Sequence, residues 1–161
     1  MTRATKVLPN GTWERTRAAD RIALTHDNRH RRRIAMKGDD GTNFLLDLAD
    51  AAHLRDGDGL VLEDGRIVCI VAAEEPVVEI MGNAHLMARV AWHIGNRHVP
   101  AQILPDRIRI GRDHVLEEMI AKLGARVTRT TAPFDPEPGA YASEAQHSHD
   151  HSHGHGHRHE H

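Results

Sequence analysis

The stretch VVEIMGNAHLMARVAWHIG, residues 77–95, decides the fold, because a short apolar strand pattern is followed at once by an amphipathic helix pattern. Residues 77–80 are rich in β-branched side chains, and Asn83 belongs to the residue types that cap the first turn of a helix. The apolar residues that follow recur at helical spacing and predict one buried face: Leu86, Met87, Val90, Ala91 and Ile94. Gly95 is typical of a helix end, so we expect the helix to stop there.

The residues after this stretch repeat the pattern with one extra strand. Residues 99–104 and 107–110 are two short strand patterns, joined by a Pro-Asp turn at 105–106. Asp113 then caps a second predicted helix, which ends at Gly124. Its apolar stripe consists of Val115, Leu116, Met119, Ile120 and Leu123. With a last strand at 126–131, the order β-α-β-β-α-β predicts a ferredoxin-like domain.

Residues 21–73 show a different pattern, in which short apolar runs alternate with turn signals. The runs lie at 22–25, 33–36, 43–48, 60–63 and 66–71, and Asp-Gly pairs lie at 40–41, 56–57, 58–59 and 64–65. Asp-Gly tolerates positive φ and suits tight hairpins, so this half predicts an all-β unit with its clearest hairpin at 62–67. The basic run at 29–33 is either a contact for phosphate or an acidic peptide, or a solvated loop. The lack of an aromatic platform beside it favours the loop.

Together these patterns predict an α+β chain of three parts. An all-β domain occupies residues 1–73, and a ferredoxin-like βαββαβ domain occupies residues 74–136. Residues 137–161 form a histidine-rich tail, which follows a segment broken by Pro133, Pro136 and Pro138.

Composition excludes several classes of function. The 161 residues carry 21 basic and 23 acidic side chains, a balance that argues against a general binder of nucleic acid or anionic membranes. Cys69 is the only cysteine, which excludes an intrachain disulfide, favours a reduced cytosolic setting, and predicts a buried, inert thiol. The longest apolar run, 67–73, is too short to span a bilayer, and residues 1–11 lack a secretory pattern. Metalloprotease, phosphate-loop, nucleophile-elbow and dinucleotide signatures are absent.

The tail has a histidine at every odd position from 147 to 161. These eight of the fifteen histidines are His147, His149, His151, His153, His155, His157, His159 and His161. Imidazole suits nickel, zinc and copper, so the tail is a predicted metal-gathering segment. It has no apolar side chain to offset the entropy of ordering, and we expect it to be disordered without metal. A purification tag or an inert polar tail is the alternative, but the interleaved Asp150, Arg158 and Glu160 are unlike a tag.

The folded part places histidines near element ends. His93 and His98 lie around the end of the first helix, and His114 lies at the start of the second. A lone histidine is more often a surface residue than a ligand, and His26, His30, His53 and His85 are assigned to that class. His98 differs, because the chain leaves the helix just before it and the ring can project from a rigid edge. In a two-fold dimer, each copy would give the same imidazole to one shared ion, with water or a tail histidine completing the coordination.

Several stretches resemble the UreE family of urease accessory proteins, which are nickel metallochaperones. The specific part is Gly95-Asn96-Arg97-His98 together with the histidine tail. The other matching stretches run in family order and cover essentially the whole chain beyond residue 20: 58–65, 71–77, 92–100, 113–119, 133–137 and 139–141.

The resemblance implies an N-terminal β domain of peptide-binding character, a ferredoxin-like metal-binding domain, and a homodimer joined through the latter. It implies that His98 is the ligand shared at the dimer axis. Family members can carry further histidines where this chain has Arg112 and His114, and only His114 is retained here. The resemblance further implies a cytoplasmic protein that supplies Ni(II) to apo-urease through the urease accessory GTPase and its companion proteins, and that catalyses no reaction itself. Zn(II) and Cu(II) are expected to bind the same donors.

Two alternatives stay open at this point. One is a nickel or zinc storage protein, in which the tail is the functional element and the folded part displays it. The other is a metal-dependent hydrolase that uses His98, His114 and a carboxylate. Asp113, next to His114, is either a further ligand or only a helix cap.

Overall fold

The computed structural model describes residues 1–139, which form two β-sheets and two α-helices. The predicted tail histidines, from His147 to His161, lie outside the described residues. Within residues 1–139, neither helix has the length and apolarity needed to cross a membrane.

The N-terminal unit, residues 1–73, is built on a six-stranded sheet. Its strands are β1 (Thr2–Leu8), β2 (Asp20–Leu24), β3 (Arg33–Lys37), β4 (Asn43–Asp47), β5 (Gly59–Leu62) and β6 (Ile67–Ala72), in the order β2-β6-β5-β1-β4-β3. The core is filled by aliphatic side chains and one aromatic ring, among them Phe44, Leu46, Leu60, Leu62 and Ile70. The mostly-β prediction is confirmed, with short 3-10 turns at Arg15–Arg17 and Asp27–His30 added.

Two of the predicted hairpins are present. Strands β3 and β4 pair antiparallel, as do β5 and β6. Gly41 and Gly65 lie in their turns with φ of 93° and 88°, conformations that glycine adopts without steric cost. Strand β1 was not predicted, although it lies in the middle of the sheet, parallel to β4 and antiparallel to β5.

The C-terminal unit, residues 74–139, contains a four-stranded antiparallel sheet and both α-helices. Its elements are β7 (Glu74–Met81), α1 (Ala84–Asn96), β8 (Ala101–Ile103), β9 (Ile108–Gly111), α2 (His114–Leu123) and β10 (Arg126–Pro133). The sheet order is β10-β7-β9-β8. The apolar stripes of both helices join Ile80, Ile108 and Ile110 of the sheet in one core. This is the element order that residues 77–131 predicted.

The caps predicted from sequence are in place, with one correction. The Asn83 side chain accepts a hydrogen bond from the Leu86 backbone N–H at 2.9 Å, and Asp113 accepts one from Leu116 at 3.0 Å. Gly124 ends α2 in the left-handed conformation. The prediction that α1 ends at Gly95 was wrong, because the helix continues to Asn96 and the left-handed residue after it is His98.

The two units meet along a buried contact that the sequence did not reveal. The side chain of Arg29 is 1% exposed and donates to Asp135 Oδ1 at 3.0 Å, to the Leu54 carbonyl at 3.4 Å and to the Phe134 carbonyl. Phe134 packs with Val77 in a small separate core. The solvated-loop interpretation is therefore wrong for Arg29, whose charge is paired inside the protein. It holds for residues 31–32, which lie in an exposed loop, while Arg33 begins β3.

Candidate metal-binding cleft

A cleft of about 800 Å³ lies where the two units meet. We call it the junction cleft and define it by four histidines that line it: His26, His30, His53 and His98. Its other walls are the end of α1, strand β8 and residues 135–139. Gly139, the last described residue, also lies on this cleft.

His98 is held by a tight helix-ending motif. Its backbone N–H donates to the Gly95 carbonyl at 3.1 Å, and the Val99 N–H donates to the Ile94 carbonyl at 3.4 Å. This pair of bonds is the Schellman motif, whose left-handed position is usually glycine. His98 has φ of 56° and is the one non-glycine residue with positive φ in residues 1–139. A histidine in this strained place is an observation that favours a functional role for its exposed ring.

The helix end also provides a favourable field. The last carbonyls of α1 carry partial negative charge, which favours a nearby cation by about 0.3–1 kcal/mol. His98 therefore combines an exposed imidazole, a rigid backbone and the cation-attracting end of a helix.

His114 lies in the opposite setting. It is the first residue of α2, where the helix end carries partial positive charge and disfavours a cation. Its neighbour Asp113 is a helix cap, since its Oδ1 accepts from Leu116. His114 is exposed but is not among the residues lining the junction cleft. Of the two predicted folded ligands, His98 lines the junction cleft and His114 does not.

The other three cleft histidines form a cluster. The His26 and His30 ring centroids are 4.3 Å apart and those of His30 and His53 are 4.1 Å apart, both edge to face. His53 Nδ1 is in hydrogen-bonding contact with His30 Nε2. Burial, helped by the Arg29 guanidinium, lowers the pKa of His26. Burial and the adjacent His53 ring lower the pKa of His30, a shift toward the neutral imidazole that binds metal.

Sequence reasoning assigned these three histidines to turns and missed the cluster. One local signal was available, because His26 and His30 are four residues apart and a helical turn brings such positions together. The approach of His53, from a loop 23 residues away, had no local signal. Cys69 is buried, as predicted, and burial raises the pKa of its thiol.

The remaining folded histidines lie apart from the cluster. His93 is partly buried, and its ring packs edge to face on Trp92 with centroids 5.0 Å apart. His85 is exposed and lines a separate depression on α1. Within residues 1–139, no three His, Cys, Asp or Glu side chains form a complete metal site. Any ion held by this part of the chain needs a further ligand from a second copy, from the tail or from solvent.

The fold and the cleft together define a class: a two-domain α+β protein with a mostly-β first domain and an imidazole-lined cleft against the second. The family model for the N-terminal domain of the UreE urease accessory protein matches residues 4–73, and the model for its C-terminal domain matches residues 75–161. The chain therefore belongs to the UreE family of urease accessory proteins, as its motifs suggested.

Similar proteins support the same assignment. The urease accessory protein UreE of Bradyrhizobium sp. (strain ORS 278) is 57% identical over 143 residues, which are 88% of this chain and 68% of that protein. The protein of the same name from Chelativorans sp. (strain BNC1) is 53% identical over 147 residues, 90% of each chain. That of Rhodobacter capsulatus is 48% identical over 143 residues, 89% of this chain and 88% of the relative.

Proposed function

We propose that this protein is a nickel metallochaperone that takes part in urease maturation by delivering Ni(II) for assembly of the urease active site. Its relatives carry the name of urease accessory proteins rather than of the urease itself. Nickel is the cargo, imidazoles are its ligands, and the protein catalyses no reaction. Zn(II) and Cu(II) bind the same donors, so selectivity comes from metal supply and from partner docking.

The position of His98 carries the proposal. Two copies of the C-terminal domain, which we take to be ferredoxin-like, pair so that both His98 rings ligate one ion. Imidazole pairs leave coordination positions free, and tail histidines fill these and exchange with the ion in steps. Such an ion is held firmly enough to be carried and loosely enough to be released.

Exposed apolar side chains support pairing through the C-terminal domain. Among residues 1–139, the large hydrophobic side chains that are exposed, apart from Met1, are Trp92, Ile103 and Val115, and all three belong to that domain. Trp92 is 64% exposed on α1, the helix that His98 follows. The free edge of β8 does not serve for strand pairing, because the Ala101 carbonyl and the Ile103 N–H are bonded to Glu137.

The domain limits follow the same proposal. Residues 1–73 form the first domain, of peptide-binding type, residues 74–136 form the metal-binding domain, and residues 137–161 form the tail. The partners are the urease accessory GTPase, its companion proteins and apo-urease, and the compartment is the cytoplasm.

A nickel titration on a tail-deleted chain tests the proposal. Deleting residues 144–161 leaves every described residue in place, and native mass spectrometry reports ions bound and assembly state together. The chaperone proposal expects a dimer that retains one ion, and expects His98→Ala in that background to remove it. His85→Ala is the matched control, since it removes an exposed histidine of α1 that does not line the cleft. Loss of all specific binding on tail deletion alone would favour a storage protein instead.

A further inference from the structure

We propose that His30 and His53 form a second binding site for a divalent transition ion, inside the junction cleft and separate from the two-fold site at His98. The proposal rests on the proposed function, because it gives the same class of metal cargo an additional binding site.

The two ring nitrogens already face each other. His53 Nδ1 and His30 Nε2 are in direct contact, with ring planes at 82°. Imidazole nitrogens bind such ions at about 2.0–2.1 Å, so two nitrogens on one ion lie about 2.9–3.3 Å apart for square-planar to tetrahedral angles. A small separation of the rings is enough to admit the ion between them in place of the shared proton.

The backbone beside each histidine holds this geometry. Leu54, next to His53, donates its N–H to the Arg29 carbonyl at 3.1 Å. Arg29, next to His30, donates Nη1 to the Leu54 carbonyl at 3.4 Å. The loop of one ligand and the turn of the other are therefore tied together by a reciprocal pair of bonds, and this fixes a site from residues distant in sequence.

His26 acts as a positioning residue for His30. Its ring packs on His30 on one side and on Phe134 on the other, where the centroids are 5.4 Å apart. Its backbone N–H donates to Glu75 Oε2 at 2.9 Å, which anchors it to β7. His30 consequently has an orientation set by both units of the protein.

The charges around the pair permit a cation. Arg29 and Arg55 line the same cleft, and both bond to Asp135, at 3.0 and 3.3 Å. The Asp135 carboxylate thus offsets one of these two positive charges, and Asp27 and Glu75 add two acidic groups next to His26.

Two imidazoles leave coordination positions of the ion free, and water fills them. A pair of fixed imidazoles completed by exchangeable ligands suits a site that releases its ion again.

The test uses the full chain and Zn(II), a diamagnetic probe of the same ligand class. Nitrogen-15 NMR of the histidine rings is expected to show His30 Nε2 and His53 Nδ1 shifting to metal-bound values, with the His85 ring unchanged. His53→Gln is expected to abolish the His30 shift, and to lower the zinc bound by one ion per chain in native mass spectra, while His85→Gln does neither. Backbone amide signals of Arg29 and Leu54 report that the fold is intact.

The outcome separates this proposal from the function itself. If the His30 and His53 nitrogens stay unmoved in zinc-saturated protein, the second site is refuted, whatever happens at His98. If His98→Ala leaves ion binding by the dimer unchanged while His53→Gln reduces binding, the proposed two-fold site fails and the cleft site stands.

Discussion

Replacing His98 by glycine is expected to stabilise the fold and to remove the two-fold nickel site in the same variant. His98 has φ of 56°, and the left-handed conformation costs a residue with a Cβ about 1–2 kcal/mol. Glycine avoids that cost but adds about 0.4–1 kcal/mol of flexibility to the unfolded chain. The net gain in the free energy of unfolding is about 0.5–1 kcal/mol, a rise in Tm of about 1–4 °C.

The assay is urea denaturation followed by circular dichroism, with chelator present so that bound metal does not add stability. His98→Ala is the matched control, because it removes the imidazole and keeps a Cβ at positive φ; its stability should stay within about 0.5 kcal/mol of the parent. Nickel titration of the tail-deleted dimer should show that both variants have lost the shared ion. A glycine variant less stable than the parent would refute the strain argument, and one that keeps the ion would refute the assignment of His98.

Three further substitutions test the surroundings of the cleft and the helices. Asp135→Asn leaves the buried Arg29 without its counter-charge and should lower the free energy of unfolding, measured by urea denaturation, by about 3 kcal/mol. The loss should be smaller when Asp135→Asn is combined with Arg29→Met, which removes the buried charge. Glu117→Gln should lower the free energy of unfolding by about 1–2 kcal/mol, because it removes the buried carboxylate whose pKa Arg129 holds below its usual value. In the parent protein this stabilisation should disappear as the pH falls through the lowered pKa. The control Glu118→Gln, at an exposed position of the same helix, should change the stability little. Burial alone would raise the pKa of Asp20, but backbone and side-chain hydrogen bonds lower it to about 2. Asp20→Asn should therefore lower the free energy of unfolding by about 2 kcal/mol at pH 7, and by progressively less between pH 4 and pH 2. Urea denaturation at each pH measures this difference.

The C-terminal unit was the part most open to sequence reasoning, because its signals are local. Asn83 and Asp113 are caps recognisable by residue type, and the helical stripes are periodic over three turns. The end of α1 was misplaced because Gly95 is a strong local signal. The actual left-handed residue, His98, is one that the residue type disfavours and only the Schellman bonds reveal.

Strand β1 was missed for a related reason. In residues 2–8 only Ala4 is fully buried, and polar side chains surround it, so no alternation of apolar residues indicates a strand. Its central place depends on backbone pairing with β4 and β5, which are distant in sequence. Burial of Arg29 is likewise non-local, since its partner Asp135 lies 106 residues away.

In the candidate site, too, one part has a local sequence signal and the other depends on residues distant in sequence. His98 was predictable from its place after a helix and from the Gly-Asn-Arg-His motif. The cluster of His26, His30 and His53 was not, because it requires a turn and a loop of the N-terminal unit to meet. Its position on the same cleft as His98 follows from the packing of the two units, which no local pattern encodes.

The electrostatics of the cleft argue for a shallow gradient of affinity between the two proposed ion sites. The end of α1 favours a cation at His98 by about 0.3–1 kcal/mol, which is a factor of about two to five in binding. At His30 and His53 a cation also meets the guanidinium groups of Arg29 and Arg55, of which the shared Asp135 carboxylate offsets one, so we expect a weaker attraction there. Both sites rely on two fixed imidazoles and on exchangeable further ligands. If both proposed sites exist, an ion prefers the His98 site to the cleft pair by this modest factor. The same preference is small enough for a partner with a better ligand set to take the ion away.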